Sequence, residues 1–338
     1  MPERTQRTAV GIISKLLAPI RVALVGAGYF GRFHAKHLAA NPAVKFVGVA
    51  DIDETRTQAI AQEYGIEAVA DYRALIGLVD AACVVVPTPI HFEVAREFVE
   101  AGVHVLVEKP ITDSVENARI LADLVEERRQ VLQVGHVERF SPTFRVLAER
   151  ATCPLYIESY RISPWKKRAG EVDVVLDLMI HDIDMILGLV ASPVATVHAI
   201  GAPILNPTPD LANARIVFES GCVANVTASR VSYKTERRVR IFQPNSYLIG
   251  DFANDGVDSY TVEGDLSTDG LAAIKYDSIE VPKGDSLATE IADFVECVAT
   301  GRKPTVDGRD GCEAIRVAQM VTDSISEHHR SAEALLAR

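Results

Sequence analysis

Ile20-Arg21-Val22-Ala23-Leu24-Val25-Gly26-Ala27-Gly28-Tyr29-Phe30-Gly31 is the stretch that decides the fold. An apolar run of strand length passes into G-x-G-x-x-G and then into a helical pattern from Arg32 to Ala40. A second apolar run, Val44 to Ala50, follows and ends at Asp51, twenty residues after Gly31. Strand, glycine turn, helix, strand and acid in this order form the full dinucleotide-binding arrangement rather than an isolated glycine motif. Gly26, Gly28 and Gly31 let the main chain turn tightly and approach a pyrophosphate, which sits on the positive end of the helix. Tyr29 and Phe30, inside the turn, belong to the same expected contact set. Asp51 is placed to accept hydrogen bonds from an adenosine ribose, and its charge favours NAD by repelling a 2′-phosphate. Arg32, next to Gly31, could pair with such a phosphate, so NADP stays open.

Outward from this motif, strands and helices alternate as far as about Gly135. Strands are expected at 20–25, 44–50, 82–86, 103–107 and 131–134, with a weaker one at 67–69. The intervening helices are expected at 31–40, 53–64, 90–101 and 113–128. This is the rhythm of a doubly wound parallel sheet covered on both faces. Around Ser141-Pro142 the rhythm changes, and strand-like runs follow one another at 155–162, 194–200, 213–219, 222–231, 236–243, 246–251 and 257–264. An open, mostly antiparallel sheet is implied, interrupted by a helix at about 172–190 and closed by helices at about 286–299 and 308–328. The expected organisation is an N-terminal arm at 1–19, an α/β Rossmann domain at 20–140 and an α+β substrate and oligomerisation domain at 141–338.

The 338 residues suit two domains. A net charge of −11 argues against a general nucleic-acid or membrane-surface binder. Five scattered cysteines without a C-x-x-C pair read as reduced thiols of a cytoplasmic protein. Residues 10–20 lack a cleavage site and are broken by Gly11, Lys15 and Pro19, so neither a signal peptide nor a membrane span is expected.

Val174-Val175-Leu176-Asp177-Leu178-Met179-Ile180-His181-Asp182-Ile183-Asp184 carries the second signal. On a helix Asp177, His181 and Asp184 share one face, Asp173 extends the stripe and Asp182 points away. A carboxylate one turn from an imidazole fixes the ring and favours its protonated form, which suits a general base near neutral pH. The same ridge also fits a satisfied buried network, or a metal site; with no third histidine nearby, no metal is expected. Glu108-Lys109-Pro110 follows an apolar run, so Lys109 sits where ligands bind in such sheets and can stabilise a developing alkoxide, with a solvated strand-end lysine the alternative. Pro87-Thr88-Pro89-Ile90-His91 ends another strand at that edge. Thr88 and His91 are candidate cofactor contacts, with His91 as a plain first-turn residue the alternative.

The combination G-A-G-Y-F-G, P-T-P-I-H, E-K-P, V-G-H-V-E-R-F-S-P and D-L-M-I-H-D-I-D resembles the Gfo/Idh/MocA oxidoreductase family, over about Arg21 to Ser324. The resemblance implies hydride transfer between nicotinamide and a secondary hydroxyl of a sugar or cyclitol, with Lys109, Asp177 and His181 as the catalytic group. Pro87, Thr88, His91, Glu108 and Lys109 join the glycine turn and Asp51 as implied cofactor contacts. Within the family, the segment from V-G-H-V-E-R-F-S-P to the aspartate-rich helix is most similar to bacterial UDP-N-acetylglucosamine 3-dehydrogenases. That similarity implies oxidation of the sugar 3-hydroxyl, a partner aminotransferase and a place in lipid A biosynthesis.

The basic stretch Arg161-Ile162-Ser163-Pro164-Trp165-Lys166-Lys167-Arg168, four cations with one aromatic, fits a nucleotide pyrophosphate, with Arg139, Trp165 and Arg168 as substrate contacts. A solvated or subunit-contact loop is the alternative. A dehydrogenase of a free cyclitol or sugar keeps the same trio, and a non-enzymatic dinucleotide sensor would not need it. The family's open sheet face further implies a homodimer or homotetramer.

Overall fold

The computed structural model describes residues 18–165 and 173–336. It divides into two compact units, residues 18–135 with 287–312 and residues 136–286 with 313–336. No helix among the described residues is long and apolar enough to cross a membrane.

In the first unit the order is β1 (Ile20–Val25), α1 (Tyr29–Ala40), β2 (Val44–Ala50), α2 (Glu54–Tyr64), β3 (Glu67–Val69), β4 (Ala81–Val84), α3 (His91–Glu100), β5 (His104–Glu108), α4 (Val115–Arg128) and β6 (Leu132–Gly135). The six strands are parallel in the order β3-β2-β1-β4-β5-β6. Between β1 and β4 the winding reverses, the place where open α/β sheets bind ligands at the carboxyl ends of their strands. Ala81, Ala82, Cys83 and Val84 are fully buried, which is why β4 shows no polar alternation. Asp53 and Ser114 cap α2 and α4 by accepting from the amides of Arg56 and Asn117.

The second unit begins with a 3₁₀ turn at Val137–Phe140 and α5 (Pro142–Arg150). Ser141 Oγ accepts from the Phe144 amide at 3.0 Å, and Pro142 opens the helix. Next come β7 (Tyr156–Ile162), a π-helical turn at Val175–Met179 and α6 (Ile180–Val190). Seven strands follow: β8 (Val194–Ala202), β9 (Leu211–Phe218), β10 (Val223–Ser229), β11 (Glu236–Gln243), β12 (Ser246–Asp251), β13 (Gly256–Val262) and β14 (Ile274–Ile279). They join β7 in an eight-stranded sheet, β14-β13-β12-β11-β7-β10-β9-β8, antiparallel except between β7 and β10.

One sheet face packs on the core, with Ala214, Ile216, Ala224 and Val226 buried together with Ile183, Ile186 and Val317. Elsewhere on the sheet a row of rings crosses five strands, Tyr156, Phe242, Tyr247, Tyr260 and Tyr276, with successive centroids 5.6, 4.6, 5.6 and 5.1 Å apart. Such cross-strand aromatic pairs are the unit of sheet stabilisation.

Three expectations need correction. The helix expected at 172–190 is a π turn followed by an α-helix, and α5 and β14 were not foreseen. The single cut at residue 140 is also replaced, because the chain returns to the first unit. There α7 (Ser286–Thr300) leads to Val306, whose carbonyl accepts from the Val134 amide at 3.0 Å. β6 would otherwise be a bare sheet edge, and the returning segment covers it. The last helix, α8 (Gly308–Leu336), ends the described chain.

Candidate functional site

The first unit builds a phosphate cradle from its main chain. Gly26 has φ +108°, and a Cβ there would overlap the Val85 carbonyl. Only glycine permits both the conformation and the approach of β1 to the β4 loop. A Cβ on Gly31 would overlap the Gly26 carbonyl, so the turn closes against its own helix. Gly28 is different: a Cβ there would meet nothing within 4 Å. The open space lies at the N-terminus of α1, where helix amides and dipole favour an anion. The three glycines thus make a tight turn, a tight closure and an open floor, which fits a dinucleotide pyrophosphate.

Asp51, directly after β2, accepts from the Ala27 amide at 2.6 Å and the Asp53 amide at 2.9 Å. Its carboxylate ties the glycine turn to the β2 end, and each oxygen keeps a second lone pair for a ribose hydroxyl. Tyr29 and Phe30 stand on the outer side of α1, 66% and 36% exposed.

At the next strand ends, Pro87 and Thr88 begin a short 3₁₀ turn. His91 departs from the expected cofactor contact. It is 1% exposed, with Nδ1 2.8 Å from the Pro110 carbonyl and Nε2 2.8 Å from the Val86 carbonyl. Burial lowers its pKa, and the ring braces the β4 and β5 loops against each other.

Glu108 ends β5 as a buried residue, its Oε1 2.8 Å from His34 Nε2 and its Oε2 accepting from the Lys109 amide at 3.3 Å. With these partners Glu108 supports the strand end rather than presenting a cofactor ligand. Glu290 of α7 joins them, and donor atoms of His34, Glu108 and Glu290 lie within 4.8 Å of one another. Sequence reasoning, which expected no metal, did not assemble this group, because Glu290 is remote in the chain. Lys109 follows Glu108, half-buried, and a cis peptide joins it to Pro110.

In the second unit, Asp173 caps the π turn through the amides of Val175 and Leu176, so it is a structural cap and not part of an open ridge. Asp177 lies inside the π turn, and His181 follows it on α6. Both are half-buried, while Met179, Ile180 and Asp182 between and beside them are buried. The wider turn changes the helical arithmetic that put Asp177, His181 and Asp184 in one regular stripe.

Asp184 is 1% exposed and covered by Arg139 and His136. Burial pushes its carboxyl up to about 7, because Arg139 Nη1 stays 3.5 Å from the carboxylate and offsets only part of the desolvation. Asp182 points away as expected, yet into protein: it accepts from Arg161 Nε at 2.7 Å and Ser159 Oγ at 2.8 Å.

Of the expected substrate contacts, Arg139 is occupied. Its guanidinium donates to the Asp184 carbonyl at 3.3 Å and lies over the Phe144 ring at 5.3 Å. Trp165 is 44% exposed. Arg161, the first cation of the basic stretch, is buried on Asp182 and Glu138 instead of standing open to a ligand, and Arg168, with Lys166 and Lys167, lies outside the described residues.

Residues 20–136 match an oxidoreductase family with an NAD-binding Rossmann fold, and residues 158–333 match that family's C-terminal alpha/beta domain. The chain is 36% identical over 303 residues to the UDP-N-acetylglucosamine 3-dehydrogenase of Acidithiobacillus ferrooxidans, covering 89% of this chain and 96% of that one. A solved structure of that enzyme gives a TM-score of 0.85 at 34% identity, covering 91% and 98%. The scyllo-inositol 2-dehydrogenase (NAD(+)) of Bacillus subtilis is 28% identical over 326 residues, 90% of this chain and 94% of that one.

Proposed function

The chain belongs to the Gfo/Idh/MocA family of NAD-binding oxidoreductases, and on that premise we propose that it oxidises the 3-hydroxyl of UDP-N-acetylglucosamine to the 3-keto sugar. The observation that carries the reading is the 36% identity to a UDP-N-acetylglucosamine 3-dehydrogenase over 303 residues, which include Lys109, Asp177 and His181. Gly26, Gly28 and Gly31 hold the pyrophosphate, and Asp51 takes the adenosine ribose. Bound NAD supplies the hydride acceptor at nicotinamide C4.

His181 takes the hydroxyl proton as the carbon–hydrogen bond gives up its electron pair and the carbonyl forms. Lys109 donates a hydrogen bond to the same oxygen, whose negative charge grows in the transition state. Asp177 orients the imidazole and favours its protonated form after the transfer. Trp165 and the basic residues Lys166, Lys167 and Arg168 bind the nucleotide diphosphate. An aminotransferase is the reaction class that consumes the ketone, and the aromatic row of the eight-stranded sheet is the contact between copies of the chain.

A second reading, oxidation of a free cyclitol, is supported by the 28% identity to the scyllo-inositol enzyme and leaves the basic stretch without a role. The test is NAD reduction with UDP-N-acetylglucosamine, UDP-glucose, myo-inositol or glucose, with an aminotransferase or a trapping amine present to draw off ketone. Turnover confined to the N-acetylated nucleotide sugar supports the first reading. Turnover of inositol or glucose alone replaces it with the second.

A further inference from the structure

α6 is gripped on two sides by neighbouring residues of one short turn. Asp182 and Asp184 are two positions apart, so their side chains diverge by roughly 200° around the helix. On the first side Arg161 donates from Nε to Asp182 at 2.7 Å and from Nη1 to Glu138 at 2.8 Å. Burial works against the Arg161 charge, but Asp182 and Glu138 more than restore it. On the second side Arg139 reaches the Asp184 carbonyl at 3.3 Å. Gly188, one turn further on, leaves the room for that guanidinium, because a Cβ there would overlap it.

The other end of the segment is held as well. Asp173 accepts from the first amides of the π turn, and the Val174 amide donates to the Pro209 carbonyl at 3.3 Å. Between these anchors lie Asp177 and His181. A π turn carries one residue more than α-helical winding, so its loss would turn Asp177 relative to His181 by roughly 100°.

We propose that Arg161, Glu138 and Arg139 are positioning residues that lock the rotation of α6 and hold the π turn, and so fix the directions of Asp177 and His181. This rests on the proposed function only where those two residues are given catalytic roles. Removing one partner of a buried ion pair also destabilises, so activity alone does not decide the matter. The variants are Glu138→Gln, Arg139→Met and Gly188→Ala, beside Val257→Ala on β13 as a core variant of the same unit away from the π turn and α6.

The grip variants are expected to lose about 100-fold in kcat, the scale of a small misplacement of reacting groups, with NAD affinity unchanged. Their amides at 174–182 should exchange faster, and the His181 ring resonances should move. Val257→Ala should lower the melting temperature and leave kcat, exchange at 174–182 and the His181 resonances as in the parent. The proposal is overturned if the grip variants melt earlier but keep parental kcat, exchange and resonances, or if Val257→Ala changes all three equally. If the parent oxidises no sugar, the functional reading fails, while exchange and ring resonances still decide the grip.

Discussion

The glycine turn of the first unit and the π turn of the second solve the same problem with opposite means. Each must hold a few atoms in a fixed direction for a ligand. The glycine turn does it with main chain: an amide into Asp51, a carbonyl packed where Cβ atoms would be, and an open floor at Gly28. The π turn is held by side chains, among them charges buried with their partners. A main-chain site depends on which residues are absent, and it is written locally. A side-chain site depends on partners supplied by distant segments, here β7 and the 3₁₀ turn at Val137–Phe140.

The largest effect should come from the two residues proposed to take the proton and stabilise the oxygen. Lys109→Ala and His181→Ala are each expected to lower kcat by about 10²–10⁴-fold, the range for a positioned acid or base. NAD binding should survive His181→Ala, measured by fluorescence of the bound reduced cofactor; its loss would mean that the two halves are not separable in this way. Next is Gly26→Ala, which forces a Cβ into both a positive φ and the Val85 carbonyl. Strain of about 1–3 kcal/mol should weaken NAD correspondingly, read by calorimetry, while the exchange of amides in α6 stays unchanged. Asp51→Ser removes the charge that disfavours a 2′-phosphate and should move the NAD to NADP preference by about tenfold toward NADP, read from the two kcat/KM values.

The smallest effect on turnover belongs to Asp184→Asn, which acts on stability instead. The Asp184 carboxyl is raised from the ordinary 3.8 to about 7. A raised carboxyl pKa means that the folded protein holds the proton more tightly than the unfolded chain. Its contribution is therefore fully present below about pH 4 and is lost as pH rises through about 7. The asparagine variant should lack this loss, so denaturant midpoints of variant and parent should diverge in its favour from acid toward pH 8. Parallel profiles would show that Asp184 titrates as an ordinary carboxylate.

The same contrast explains what could be read from the sequence. The strands of the first unit were placed to within about two residues, because apolar runs without alternation, bounded by turn residues, have few other meanings. The glycines and Asp51 were legible for the same reason: their motif lies within one βαβ unit. α5 has a readable signal in Ser141-Pro142, a cap followed by a first-turn proline, which marks a helix start as well as a domain boundary. β14 was missed because an exposed edge strand, Ile274-Lys275-Tyr276-Asp277-Ser278-Ile279, offers no buried face to mark it.

The return of α7 and the π turn left no local trace, the first being a long-range pairing and the second a single added residue. The charges around α6 show the limit most clearly. Helical arithmetic gave the direction of Asp182 correctly, but direction alone does not say whether solvent or Arg161 lies there. His91 taught the converse, since a first-turn histidine at a ligand edge proved to be enclosed.

Trp165 is the only tryptophan in the chain, and it is 44% exposed beside the basic stretch. Its emission is therefore a lamp with one address. Melting followed by tryptophan light should register less than a buried ring would give, because nearly half of this one already faces water. Its colour and quenching should answer instead to whatever lands beside it, so the proposed arrival of a charged nucleotide on that stretch can be followed by the protein's own light.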